Sequence, residues 1–300
     1  MLLKTSLVLN QRNIWILINL IDLKKKIFSI LQIIITVFFV YFTVSNLDLS
    51  KLFEVLNNIN ILYLIIAASI YFSSQIISSE RLRYILNDNK FIISFKQNFT
   101  LYLIGLFYNF FIPGGIGGDA YKSYLMNKKF NWKLSKVVKL LLLDRLIGLG
   151  VLCCILIGLY EIIFLNFNFI YLILTLCFLS IIGYYMVKLI FKNQNIFWKS
   201  FLYSLASHTI QFISLFIILY SLGIEDGYFE IIIVFILSSI FSVFSFGGIG
   251  IREYIFLSSA SILNFSPELS ASIGLLFTVS AAISSLPGLK FIISKPDYLK

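Results

Sequence analysis

Charged residues stand in this chain where apolar surroundings make them costly. Asp144 and Arg145 lie early in the apolar stretch 137–160, and Arg252 and Glu253 directly follow Gly247-Gly248-Ile249-Gly250. A charge at the centre of a membrane helix costs about 2.5–3.5 kcal/mol on insertion scales, so such residues mark either a structural clamp or a ligand site. Sequence neighbours do not face each other on a helix. Crosswise pairing of Asp144 and Arg145 with Arg252 and Glu253 is therefore expected. Asp119 and Lys122 follow a second glycine-rich stretch, Gly114-Gly115-Ile116-Gly117-Gly118. A short helix starting there presents free N–H groups and about half a positive charge to an anion. A plain N-cap is the simpler role for Asp119. His208 shares a stripe with Ser204, Gln211 and Ser214 at helical spacing, which directs it to a cavity or a neighbouring helix. There it serves as a packed, hydrogen-bonded residue or as a proton relay. The chemistry common to these residues is recognition of an anion.

Other chemistries find no support. Cys153, Cys154 and Cys177 lie in apolar runs without metal-ligand spacing and read as small packing residues. A Gly-x-Ser-x-Gly elbow is missing, and so is an acidic pair in a large outer loop. The glycine-rich stretch follows an apolar helix and lacks Gly-Lys-Ser/Thr, which argues against a nucleotide loop. Neither a metal nor a cofactor is expected, and the chain does not read as an enzyme.

The elements that must position these residues are long uncharged runs at 27–45, 61–79, 162–187, 200–223 and 231–251. The chain is 59% hydrophobic and 13% charged, against about 25% charged in soluble domains. About 20 apolar residues span a bilayer core as helix, and the ten-residue alternation of a membrane β-barrel is missing. The fold class is therefore all-α, a polytopic transmembrane helix bundle forming one domain over 1–300. It has no soluble part large enough for chemistry in water. The net charge of +10 fits basic cytoplasmic loops better than nucleic-acid binding. A signal peptide is not evident.

Charge places the loops. Lys24, Lys25 and Lys26 put segment 1–26 in the cytoplasm, and Arg81, Arg83, Lys90 and Lys96 mark the next cytoplasmic loop. The stretch 97–112 is only 16 residues, about 24 Å of helix, and six lysines follow it between Lys122 and Lys139. A re-entrant hairpin keeps them inside. A second re-entrant hairpin, breaking at Gly247–Gly250 and returning through 252–265, lets the last span, 271–292, end inside. All basic residues except Lys51, Arg145 and Arg252 then flank the cytoplasm, with both termini there. Glu225 and Glu268 lie outside.

This topology contains a repeat. Residues 27–160 read span, span, hairpin, span, and 169–292 read the same from the opposite side. Each hairpin breaks at Gly-Gly-Ile-Gly, starting at residues 114 and 247, an offset of 247 − 114 = 133. Two inverted repeats, each of three spans plus one re-entrant hairpin, are expected. Transporters use such broken helices to build a site near the midplane.

The segments Asn109-Phe110-Phe111-Ile112-Pro113-Gly114-Gly115-Ile116-Gly117-Gly118-Asp119-Ala120-Tyr121-Lys122, Asp144-Arg145-Leu146-Ile147-Gly148-Leu149 and Gly247-Gly248-Ile249-Gly250-Ile251-Arg252-Glu253 resemble the flippase-like family of the lysylphosphatidylglycerol synthase membrane domain. The resemblance covers most of the chain in family order, and it is to a stand-alone bacterial or archaeal member. Lys122 stands where the family often has Arg, and Phe246 where a Pro is common. The resemblance implies a plasma-membrane protein that flips a phospholipid or transports a polyprenyl-phosphate-linked precursor. Without the synthase's soluble aminoacyl-transferase domain, it argues against lysyl transfer. The headgroup phosphate would sit between the two half-helix N-termini with Arg145 and Arg252 as cations, and membrane lipids would be the partners. The competing readings are an ion-coupled carrier of a small anion and a non-transporting scaffold for an envelope-synthesis enzyme.

Overall fold

The computed structural model describes residues 30–111, 117–164, 169–191, 196–245 and 247–294, and every element there is helical. In chain order they are α1 (Ile30–Ser45), α2 (Leu49–Asn57), α3 (Ile61–Asp88), α4 (Phe95–Phe111), α5 (Gly118–Phe130), α6 (Leu134–Phe164), α7 (Phe169–Phe191), α8 (Ile196–Ser221), α9 (Tyr228–Phe241), α10 (Ile251–Ser258), α11 (Ala260–Leu263), α12 (Pro267–Ser285) and α13 (Pro287–Ile293). Among the described residues, four helical stretches are long and apolar enough to cross a membrane: Ile61–Asp88, Leu134–Glu161, Ile196–Ser221 and Pro267–Ile293. The bent pair of α1 and α2, at 91°, makes a fifth if taken as one span. The chain is thus a multi-pass membrane protein. Segment 1–26, Gly114 and Gly115 lie outside the described residues.

Small polar residues hold the centre together. Lipid tails are as apolar as leucine, so membrane helices associate through close packing and hydrogen bonds between small residues. The α3–α8 interface follows that rule. Ser78 Oγ and Ser207 Oγ lie 2.7 Å apart, Ser207 donates to Ser74 O at 3.1 Å, and Ser214 donates to Ala67 O at 2.8 Å. The sequence separations show the helices running antiparallel. On the other side of α3, Ser284 of α12 donates to Ala68 O at 2.9 Å. Large apolar side chains such as Ile61, Leu202 and Tyr220 point outward and stay exposed, as lipid contact requires.

The stretch 97–111 belongs to a helical hairpin. Tyr108 of α4 stacks on Tyr121 of α5 with ring centroids 4.0 Å apart, and Gly118 N donates to Asn109 Oδ1 at 2.7 Å. The two backbones nearly touch, since a Cβ on Gly118 would overlap the Gly105 carbonyl. At the open end, Phe91 meets Trp132 at 4.9 Å. The two ends of this antiparallel hairpin therefore lie together.

The run 231–251 is not one helix. α9 ends at Phe241, a 3-10 turn covers Ser242–Phe244, and Gly247, Gly248 and Gly250 take φ of +57°, +89° and +82°. Side chains rarely adopt that region, and glycine enters it freely. The return leg, expected as one segment over 252–265, is two short helices, α10 and α11. The last span runs from Pro267 and is interrupted before Pro287, whose missing N–H interrupts helix bonding. The first span ends in a turn where Asp48 caps α2, accepting from Ser50 N at 3.0 Å. Asp48 N also donates to Glu268 Oε1 at 3.3 Å, so α1 ends where α12 begins.

Candidate functional site

The expected crosswise pairing is not what forms. Asp144 is bound by Arg81 of α3, with Nε donating to Oδ1 at 2.7 Å and Nη2 to Oδ2 at 3.0 Å. Arg81 Nη1 also donates to Ser204 Oγ at 2.7 Å. Both side chains are buried. Gly148 makes room, since a Cβ there would stand 3.0 Å from Arg81 Nη1. The helical turn directs Asp144 to α3 and α8 and sends Arg145 toward α5.

Arg145 grips Asp119, with Nε donating to Oδ2 at 2.7 Å and Nη2 to Oδ1 at 3.2 Å. Lys122 Nζ reaches Asp119 Oδ1 at 2.6 Å and lies 4.9 Å from the centre of the Tyr102 ring. Asp119 does not cap its helix. The N-cap is Gly117, without a side-chain bond, and Asp119 occupies the first turn between two cations. The cluster of two cations and one carboxylate carries a formal charge of +1. Lys122 is sealed in at 4% exposure, while Asp119 at 32% and Arg145 at 49% remain accessible.

A polar path leads from this cluster across the protein. Tyr102 donates to Gln75 Oε1 at 3.4 Å, Gln75 donates to Ser74 Oγ at 3.0 Å, and Gln211 donates to the same hydroxyl at 3.4 Å. His208 Nδ1 meets Gln211 Oε1 at 3.4 Å and its Nε2 meets Gly148 O at 3.2 Å. His208 is therefore a packed residue tying α8 to α6.

At the second break, Glu253 turns back and its Oε2 accepts from Gly250 N at 2.7 Å. Arg252 Nη1 donates to Thr278 Oγ1 at 2.9 Å, and the guanidinium lies 5.2 Å from the Phe277 ring centre. It folds over Gly248, where a Cβ would stand 2.9 Å from Nη2. Arg252 is 6% exposed and Glu253 8%. Yet Arg252 Nε, Glu253 Oε1 and nearby Ser245 Oγ have no hydrogen-bond partner among the described residues. Buried polar groups left half-satisfied are costly and call for explanation.

The end of α4 approaches the second break. Phe110, at the end of α4, lies against Gly247, where a Cβ would stand 2.5 Å from Phe110 Cδ1. Tyr71 of α3 packs edge-on against Phe277 at 5.2 Å and lies within electrostatic reach of both Arg252 and Arg145. Gly250 faces α1, with Thr36 O and Val40 N 3.0 Å from where its Cβ would be. Gly117 faces open space.

The sequence reading missed Arg81, Tyr71, Gln75, Tyr102 and Thr278. Arg81 was assigned to a cytoplasmic loop because the apolar run stops at residue 79, whereas α3 continues to Asp88. The signal was present, since Ser74, Ser78 and Arg81 share one helical stripe.

An all-helical, multi-pass membrane protein with buried charge at its centre is the class that fold and site define. The description of the lysylphosphatidylglycerol synthase TM region matches residues 29–191, and the chain belongs to that family. The matched part includes the Arg81–Asp144 and Arg145–Asp119 pairs, and the second break lies beyond it. The chain is also similar to the UPF0104 membrane protein MJ1595 of Methanocaldococcus jannaschii, at 32% identity over 101 residues. That stretch is 33% of this chain and 30% of the relative's length. No solved structure matches the chain.

Proposed function

We propose that this protein moves a lipid with a phosphate-bearing headgroup, a phospholipid or a polyprenyl-phosphate-linked precursor, between the leaflets of a bacterial or archaeal plasma membrane. The observation that carries the reading is the accessible cluster in which Arg145 and Lys122 share Asp119. Its surplus positive charge suits one phosphate, and Asp119 stands in as the carboxylate a phosphate would displace. Arg252 supplies a third cation across Tyr71, with its Nε still unbonded. Charge-assisted bonds to phosphate are about twice as strong as neutral ones, which is the discrimination a headgroup site requires.

On this reading, residues 27–160 and 169–292 are inverted repeats of three spans plus one re-entrant hairpin each, with both termini cytoplasmic. Similar order of elements, matching tetrapeptides and the meeting of Phe110 with Gly247 support that reading. The test is a liposome assay with purified protein and a panel of labelled lipids. Faster exchange of phosphate-bearing lipids than in protein-free vesicles supports the function, and no acceleration for any lipid refutes it.

A further inference from the structure

Asp144 is held by Arg81, and Asp119 by Arg145 and Lys122. Glu253 is buried without such a partner. Its Oε2 is taken up by Gly250 N at 2.7 Å, and its Oε1 has no hydrogen-bond partner among the described residues. The neighbouring arginine turns away, with Nη1 donating to Thr278 Oγ1 at 2.9 Å and the guanidinium over the Phe277 ring. Across the glycine run, Ser245 Oγ is unbonded as well. Ser245 N donates to Ser242 O at 3.2 Å, and a Cβ on Gly248 would stand 3.1 Å from Ser242 Cβ. The hydroxyl and the carboxylate thus belong to one tight turn of chain.

Buried charges are paired or coordinate a metal ion. The turn offers oxygen for the second solution. It has a carboxylate, a hydroxyl and the C-terminal end of α9 leading into it, and a helix C-terminus carries about half a negative charge. Divalent ions need more negative charge than one carboxylate beside an arginine supplies. Among the described residues, no three His, Cys, Asp or Glu side chains gather for a metal ion. Water brings no charge to offset Glu253, and the unbonded atoms are closed to solvent. A sodium ion is smaller than water and brings that charge. In transporters with broken helices, unwound backbone and helix C-terminal ends coordinate sodium or protons. We infer that the second glycine break binds a sodium ion, with Glu253 Oε1 and Ser245 Oγ as its side-chain ligands. Arg252 and Glu253 together are neutral, so sodium brings the break to +1, the charge that one phosphate balances. Sodium is then the coupling ion of the proposed transport, although its binding does not rest on that reading.

The experiment compares thermal unfolding of the full-length protein in detergent with NaCl, KCl or choline chloride at equal ionic strength. A ligand that binds only the folded state raises the melting temperature as its concentration rises. Sodium is expected to raise it saturably, by several degrees over choline, and the larger potassium ion by much less. Glu253→Gln keeps an oxygen for Gly250 N, so it should fold and lose the sodium shift. Ser245→Ala removes an unbonded buried hydroxyl, so in choline it should be at least as stable as the unaltered protein, and it should lose most of the sodium shift. Binding of radioactive sodium to the purified protein is a second readout that needs no unfolding. Unlabelled NaCl should displace the label and choline chloride should not. Equal melting temperatures in sodium and choline, equal shifts from sodium and potassium, or a sodium shift that survives in either variant would each overturn the inference. Because neither readout involves lipid exchange, the sodium site stands or falls apart from the transport reading.

Discussion

Arg81 and Asp144 form a fork-to-fork pair, at 2.7 and 3.0 Å, that joins α3 to α6 in the buried centre of the protein. Breaking a buried pair by removing one partner leaves an uncompensated charge and costs about 3–5 kcal/mol. Arg81→Met and Asp144→Leu should each destabilise by about that amount in urea or thermal unfolding in detergent. The double variant should be more stable than the sum of the two losses, because neither charge is then stranded. Additive losses would mean that the two side chains do not stabilise each other.

Arg145 stands next to Asp144 and should behave differently. Its side chain is 49% exposed, against 7% for Arg81, and partly exposed ion pairs contribute about 0–1 kcal/mol. Arg145→Gln should therefore unfold within about 1 kcal/mol of the unaltered protein while losing most of its transport. A large loss of stability would make Arg145 a structural clamp.

The glycines separate in the same way. Gly250 has φ of +82° and α1 lies 3.0 Å from a would-be Cβ. Gly250→Ala should cost about 1–3 kcal/mol, the usual strain for a side chain held in sparsely populated backbone space. Gly117, with open space around it, should accept Ala with little change. The melting temperatures of the two variants decide the matter. Equal temperatures would contradict the description of the second break.

Much of the fold could be read from residue types, because one physical rule, that charge avoids hydrocarbon, acts over whole segments. The break after residue 112 implied a helical hairpin, and Phe91 meeting Trp132 brings its two ends together. Glycine in a membrane run marked the second break, and three positive φ values sit there. The site was legible only as a set of residues. Helical phase sends Asp144 and Arg145 to different neighbours, and the partner of Asp144 comes from a helix whose end hydropathy misjudged. Burial seals Lys122, a candidate site residue that the sequence also counted among the cytoplasmic lysines, behind Tyr102 and Asp119. The role of Asp119 was settled by the approach of α6, a contact that nothing local to residues 114–122 specifies.

Orientation follows from the charge distribution. Cysteines placed at Lys136 and Glu225 in a background lacking Cys153, Cys154 and Cys177 should label from opposite sides, position 136 from the cytoplasm and 225 from outside. Asp48 and Glu268, whose groups meet at 3.3 Å, should label with Glu225. External labelling at position 136 would mean that the α4–α5 hairpin crosses the membrane.

Lipid exchange in proteoliposomes tests the central claim most directly. The unaltered protein, Arg145→Gln and Arg252→Gln are reconstituted at equal density, and movement of a fluorescent phosphate-bearing lipid is timed by quenching from outside. The unaltered protein should speed exchange well beyond that of empty vesicles. Each variant should lose most of that gain while still folding, as judged by its melting profile. Exchange in the unaltered protein no faster than in empty vesicles, or undiminished in both variants, would contradict the assignment of these arginines to a lipid headgroup.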